Sequence, residues 1–300
     1  MCDLRKAWLC AGWNLYTLRK NPRFYLALVM GCLLCWMLTD RTLAISRDFH
    51  TDLQVFEAFI WCFADGDSIL YASLVLMLVL SAFPRLDAAG SYVSFRAGRR
   101  AWLLGQVLTV LVITLGYCLL LLICSMLLGA GRVHARNIWS DTATLLSFSP
   151  GGFDPAFAVT RKMVKLTLPY PALIQIFVLL FLFMLLLSSV QLAFTVLKSR
   201  QTGTALALLI CLTGFILTPE RFMQWLHLPL EFTFYANLLA AWLSPLQHAT
   251  YMMHNFGYDL LPRLSTSMLL LGGASVALLA LSALHMRHYN YVFSGGIAHD

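Results

Sequence analysis

The sequence predicts an all-α membrane protein with six transmembrane helices. It adds an N-terminal interfacial amphipathic helix, a short cytoplasmic helix after the second span and an outside re-entrant helix pair before the last. Three observations lead to this class. Sixty per cent of the 300 residues are hydrophobic and 12% are charged, where a soluble domain carries roughly a quarter charged residues. Apolar stretches close to the ~20 residues that cross a hydrocarbon core recur along the whole chain. Lys and Arg collect in short clusters between those stretches.

Taken in order, the predicted spans are residues 23–39, 68–84, 101–130, 172–197, 202–219 and 265–286. The first two are short for a straight crossing and recruit flanking residues; the third and fourth are long enough to tilt. None of the six contains Asp, Glu, Lys or Arg between its ends. The pieces that an N-inside topology places in the cytoplasm hold 12 of the 21 basic residues and three of the 14 acidic ones. Cytoplasmic loops carry the Lys/Arg excess, so both termini are expected inside. The dissenting cluster is Arg132, Arg136, Arg161, Lys162 and Lys165, in the long loop after the third span.

Residues 1–22 are too interrupted by charge for the core of a secretory signal and show no small-residue cleavage pattern. Leu4, Trp8, Ala11, Leu15 and Leu18 recur at helical spacing, while Arg5, Lys6, Asn14, Arg19 and Lys20 fall largely elsewhere on the wheel. This pattern predicts a helix lying in the interface, with its apolar face at the acyl boundary and its cations toward anionic headgroups. Residues 85–100 form a basic cytoplasmic segment punctuated by Pro84, Gly90 and Gly98, with Arg85, Arg96, Arg99 and Arg100 just before Trp102 re-enters the interface. Residues 220–264 are neither polar linker nor clean span. The run 234–243 is apolar but too short to cross, and Pro245 stops it, so a re-entrant or interfacial helix pair is expected. In the loop 40–67, the patch VFEAFIWCFA is expected to lie flat on the surface, and GGFDP marks a turn in the loop 132–171.

Catalytic signatures are missing. No GxxxxGK[ST] phosphate cradle and no HExxH occurs, so the chain is read as a non-enzyme. His248 and His254, near Asp259, match no metal-ligand spacing and read as hydrogen-bonded interfacial histidines; no metal site is expected. The eight cysteines are scattered, and the CxxC of Cys32 and Cys35 lies inside an apolar run where packing explains it. The net charge of +7 is dispersed rather than gathered on one face, which argues against nucleic acid as a partner. Spans free of ionisable groups lack the relay that coupled secondary carriers use, so energy is expected to enter from another chain. Gln175, Ser188, Ser189, Gln191 and Thr213 remain as polar residues to line a route or to bond between helices.

The order of parts resembles the ABC type-2 transporter permease family across essentially the whole chain, most specifically in SFRAGRRAWLLGQ, similar to that family's basic segment before the third span. The resemblance implies an exporter in which two six-span permease subunits, as homodimer or heterodimer, pair above two ATPase subunits that hold ATP and Mg, this chain carrying no cofactor. Arg85, Arg96, Arg99 and Arg100 would belong to the coupling helix, and Leu4, Trp8, Leu15, Arg19 and Lys20 to the connecting helix. Residues 222–253, with Trp225, Trp242, His248 and His254, would form the outside cap. The setting would be the plasma membrane and its lipids. Two competing classes are a non-transporting six-span scaffold or sensor, which predicts no ATPase partner, and a secondary carrier, against which stand the charge-free spans and the lack of an internal repeat.

Overall fold

The computed structural model describes residues 2–48, 50–84, 88–131, 133–148, 161–227, 229–257 and 260–286. These are helical almost throughout. The one sheet among the described residues is a two-residue parallel pairing of β1 (Leu53–Gln54) with β2 (Val133–His134).

Helix α1 (Cys2–Arg19) ends at Asn21-Pro22, and α2 (Pro22–Asp48) starts on that proline, which suits the first helical turn because the missing N–H has no intrahelical partner there anyway. The α2 helix runs 27 residues, eight past the apolar window that ends at Asp40; the first outer loop therefore begins later than the charge pattern implied. A short α3 (Glu57–Phe63) meets α4 (Gly66–Leu80) at 88°. Asp65 caps α4 by accepting from the amides of Asp67 and Ser68. The α3 helix does lie across α4, as a flat surface piece would, but all seven of its residues are buried. The patch is roofed by the 139–143 segment rather than open to solvent: Glu57 accepts from the Ser140 amide at 2.7 Å.

Helix α5 (Ala88–Ala97) runs straight through Gly90, which was expected to break it, and stops at Gly98. Gly98 has φ +86°, a conformation that costs a side-chain-bearing residue strain. Then α6 (Arg99–Leu128) continues for 30 residues, about 45 Å at the helical rise and so well beyond a ~30 Å hydrocarbon core. Two small helices follow, α7 (Asp141–Phe148) and α8 (Arg161–Leu166); the GGFDP turn lies outside the described residues. Helix α9 (Pro169–Leu197) is the centre of the bundle and packs on α13 (Leu264–Met286), α10 (Arg200–Ile216), α6, α3 and α4. Helices α11 (Pro219–Trp225) and α12 (Thr233–Leu243) form a short hairpin bent 72° away from α10.

Among the described residues four helices are long and apolar enough to cross a membrane, or up to six spans if each bent pair counts as one. The chain is an all-α membrane protein. Close approach defines its crossings. A Cβ on Gly203 would sit 2.5 Å from the Gln191 carbonyl oxygen and from Thr195 Oγ1, so α10 touches the α9 backbone there; a Cβ on Gly105 would sit 2.6 Å from Cys10 Cβ, which locks α1 onto α6. Small residues at helix contacts are how membrane helices gain van der Waals energy when lipid is as apolar as their side chains.

Candidate functional site

The structure gathers the sequence-predicted residues into two sites at opposite ends of the bundle. The first is built on α1, α5 and the start of α6. Here α1 packs through the C-terminal part of the predicted stripe, Ala11 and Leu18, and through residues beside it. Ala7, Cys10, Ala11, Asn14 and Leu18 are buried, whereas Leu4 and Trp8 are 61% and 63% exposed. Asn14, read as polar surface, donates to Gln106 Oε1 at 3.2 Å and Thr109 Oγ1 at 3.0 Å inside the contact. The larger apolar residues thus remain available to lipid while small ones admit the neighbouring helix. Leu15 is half-buried; Arg19 and Lys20 are exposed, Lys20 lying 4.6 Å over the Tyr16 ring. Replacing Asn14 with Ala leaves Gln106 without that buried donor, and a loss of about 1–3 kcal/mol is expected in a detergent melting experiment.

Helix α5 rests Val93 and Ala97 on a cluster made by Trp102, Leu103 and Val110 of α6, Leu192 and Val196 of α9 and Met286 of α13. Its outer surface presents Tyr92, Phe95 and Arg96, with the Arg96 guanidinium 5.6 Å from the Tyr92 ring centre. Arg99 and Arg100 belong to the first turn of α6, across the Gly98 break, and line a shallow recess with Leu103, Leu104, Ala283 and Met286. Arg85 lies outside the described residues. The basic residues therefore share one ledge but not one helix.

The second site is at the other end of the bundle. Trp225 and Trp242 are exposed on the α11–α12 hairpin, together with Phe232, Phe234 and Tyr235; this is the aromatic composition of a membrane–water interface. Residues 244–254 behave differently. They are a buried plug: Leu246 fills the space above Gly214 of α10, and Thr250 Oγ1 would lie 2.8 Å from a Cβ on Gly66 of α4. His248 bridges two elements. Its Nε2 faces the Trp242 carbonyl at 3.2 Å and so must donate, which leaves Nδ1 to accept from Ser267 Oγ at 2.9 Å. Burial holds the His248 ring below its ordinary pKa, and pulls fully buried His254 down to about 4. His254 Nδ1 faces the Tyr251 carbonyl at 3.2 Å, while Nε2 has no partner. Among the described residues no group of three or more metal-binding side chains occurs, and Asp259 lies outside them.

Several polar residues of the spans bond within the protein, whereas Ser189 Oγ, Thr195 Oγ1 and Gln191 Oε1 have no partner among the described residues. Gln191 Nε2 donates to the Leu80 and Phe83 carbonyls, ending α4 where its own helix cannot. Ser188 Oγ bonds Thr114 Oγ1 at 3.2 Å and the Met184 carbonyl, and Thr213 bonds back to Ile210. Gln175 alone of the four faces an open outer recess, beside Asn255, Arg263 and Ser265, with its Oε1 accepting from the Tyr251 hydroxyl at 2.7 Å.

Sequence reasoning missed Glu57. It is fully buried and accepts from the amides of Ser140 and Gln54; desolvation raises its pKa to about 7 against those bonds. A lone acid inside an apolar patch was the available signal. Comparison with family models, curated proteins and solved structures finds no match.

Proposed function

We propose that the chain is the transmembrane subunit of an ATP-driven exporter, with the ATP and Mg held by a separate ATPase subunit. One observation carries the reading: α5 presents Tyr92, Phe95 and Arg96 outward while its inner side packs on α6 and α1, against a cluster that residues of α9 and α13 complete. A push on that ledge acts on α6 directly and on α9 and α13 through that cluster. The α1–α6 lock extends the same rigid corner. The absence of Asp, Glu, Lys and Arg between the ends of all six spans points the same way, because no ionisable relay is built into the bundle.

In this reading both termini and the α5 ledge face the cytoplasm of a plasma-membrane protein, a second permease copy or homologue completes the route, and the α11–α12 hairpin with its exposed aromatics lies at the outer interface. The cargo is amphipathic or hydrophobic, matching walls without charge. Reversing Arg96, Arg99 and Arg100 to Glu is expected to leave membrane insertion and melting unchanged while abolishing co-purification of an ATPase. Retained ATPase binding by that variant overturns the assignment of the ledge.

A further inference from the structure

We propose that the cavity enclosed by α1, α2, α4 and α6 binds an anionic single-chain phospholipid, with its acyl chain inside and its phosphate on Arg19. The cavity measures about 320 Å³, within the range of sites that take small organic ligands. Leu18, Phe24, Ala27, Leu76 and Ile113 are typical of its wall; Arg19 and Tyr117 are the two polar side chains that line it. Those two groups define the ligand.

Arg19 is exposed in the last turn of α1, at the cavity rim, and no hydrogen bond or ion pair engages it among the described residues. A guanidinium in that position matches a phosphate. Tyr117 is 6% exposed and its hydroxyl has no partner. A Cβ on Gly31 would fall 3.2 Å from the Tyr117 ring and 3.5 Å from its oxygen, so the α2 backbone holds the ring in place. A buried hydroxyl without a partner is costly, and an acceptor on a bound ligand removes that cost. The ligand therefore needs an anionic group and a separate acceptor on one apolar chain. A lysophospholipid has both, as phosphate and ester carbonyl. A fatty acid has the anion alone, and a monoacylglycerol the ester alone. Val112 and Gly116, exposed on α6, form the open side through which a chain enters from the bilayer. This site stands whether or not the protein is an exporter.

The test is native mass spectrometry of the purified full chain in detergent with lysophosphatidylglycerol, monopalmitoylglycerol and palmitate. Wild type is expected to bind lysophosphatidylglycerol most tightly. Arg19→Gln should lower its affinity to that of monopalmitoylglycerol. Tyr117→Phe should lower it about threefold to tenfold, the worth of one hydrogen bond, and leave palmitate unaffected. Gly116→Leu should weaken all three at least about tenfold, since it puts bulk at the mouth. It should not lower the melting temperature, because a Cβ there meets no atom within 4 Å and a helical glycine is replaced by a better helix former. Wild-type binding by Gly116→Leu, or monopalmitoylglycerol binding as tightly as lysophosphatidylglycerol, overturns the proposal. So does a changed oligomeric state of Gly116→Leu with lipid binding intact, which would make the cavity a seat for a second copy of the chain.

Discussion

Gly203→Ala is expected to destabilise the protein by about 3 kcal/mol, at the upper end of the cost of overpacking a tight contact. The added methyl would stand 2.5 Å from the Gln191 carbonyl oxygen and 2.9 Å from the Thr195 amide nitrogen. Both are backbone atoms of α9 and cannot swing aside as a side-chain tip does, so relief requires α10 to move away from α9. That movement would also disturb Gln191, whose amide closes the end of α4. The control is Gly273→Ala in α13, where a Cβ meets nothing within 4 Å. There the substitution should stabilise by about 0.5–1 kcal/mol through helix propensity alone. Melting of the two variants in one detergent separates the cases; a Gly203→Ala protein that melts with wild type would mean that the α9–α10 crossing is looser than these distances.

The second large effect is hidden in wild type. His254 has its pKa depressed from 6.5 to about 4, so the unfolded chain takes up its proton first and stability falls as pH drops from about 6.5 to 4. Glu57 has its pKa raised from 4.5 to about 7, so the folded chain keeps its proton longer and stability falls as pH rises from about 4.5 to 7. Each shift corresponds to about 3 kcal/mol. The slopes are opposite, and they overlap between about pH 4.5 and 6.5. Wild type should therefore melt at a nearly constant temperature across that window. Glu57→Gln should melt lower as the solution is made more acidic, and His254→Gln lower as it is made more alkaline. Flat profiles for both variants would remove the two groups as titrating sites. Glu57 lies in α3, under the 139–143 segment, and His254 in the 244–254 plug, both at the end of the bundle away from the α5 ledge, so the effect reports on that end.

Much of the architecture was legible because the bilayer imposes a length on apolar runs. The long apolar segments fall on helices, although α2 runs on to Asp48, and Pro169, Pro219 and Gly98 mark helix boundaries for local reasons of hydrogen bonding and φ. The breaks near 63–66 and 216–219 were less visible. Hydropathy counts apolar residues and is blind to an 88° or 72° change of direction.

The sites divide in the same way. The basic ledge and the aromatic hairpin could be read from composition, since exposure to headgroups, water or interface selects residue type directly. Which face of α1 packs could not, because helices in lipid pack through small residues and the moment of large apolar ones points elsewhere. Asn14 reads as surface until Gln106 and Thr109, more than ninety residues away, are brought beside it.

By itself, the sequence determined that the chain is a membrane protein and that its long apolar segments are free of Asp, Glu, Lys and Arg, because these follow from the solvation of each segment taken alone. Tertiary structure decided what no segment contains. It made Glu57 and the 244–254 loop interior, joined Ser188 and Gln191 to neighbouring helices and left Tyr117 and Arg19 facing one cavity. Burial and pairing belong to sets of residues that only the packed chain brings together.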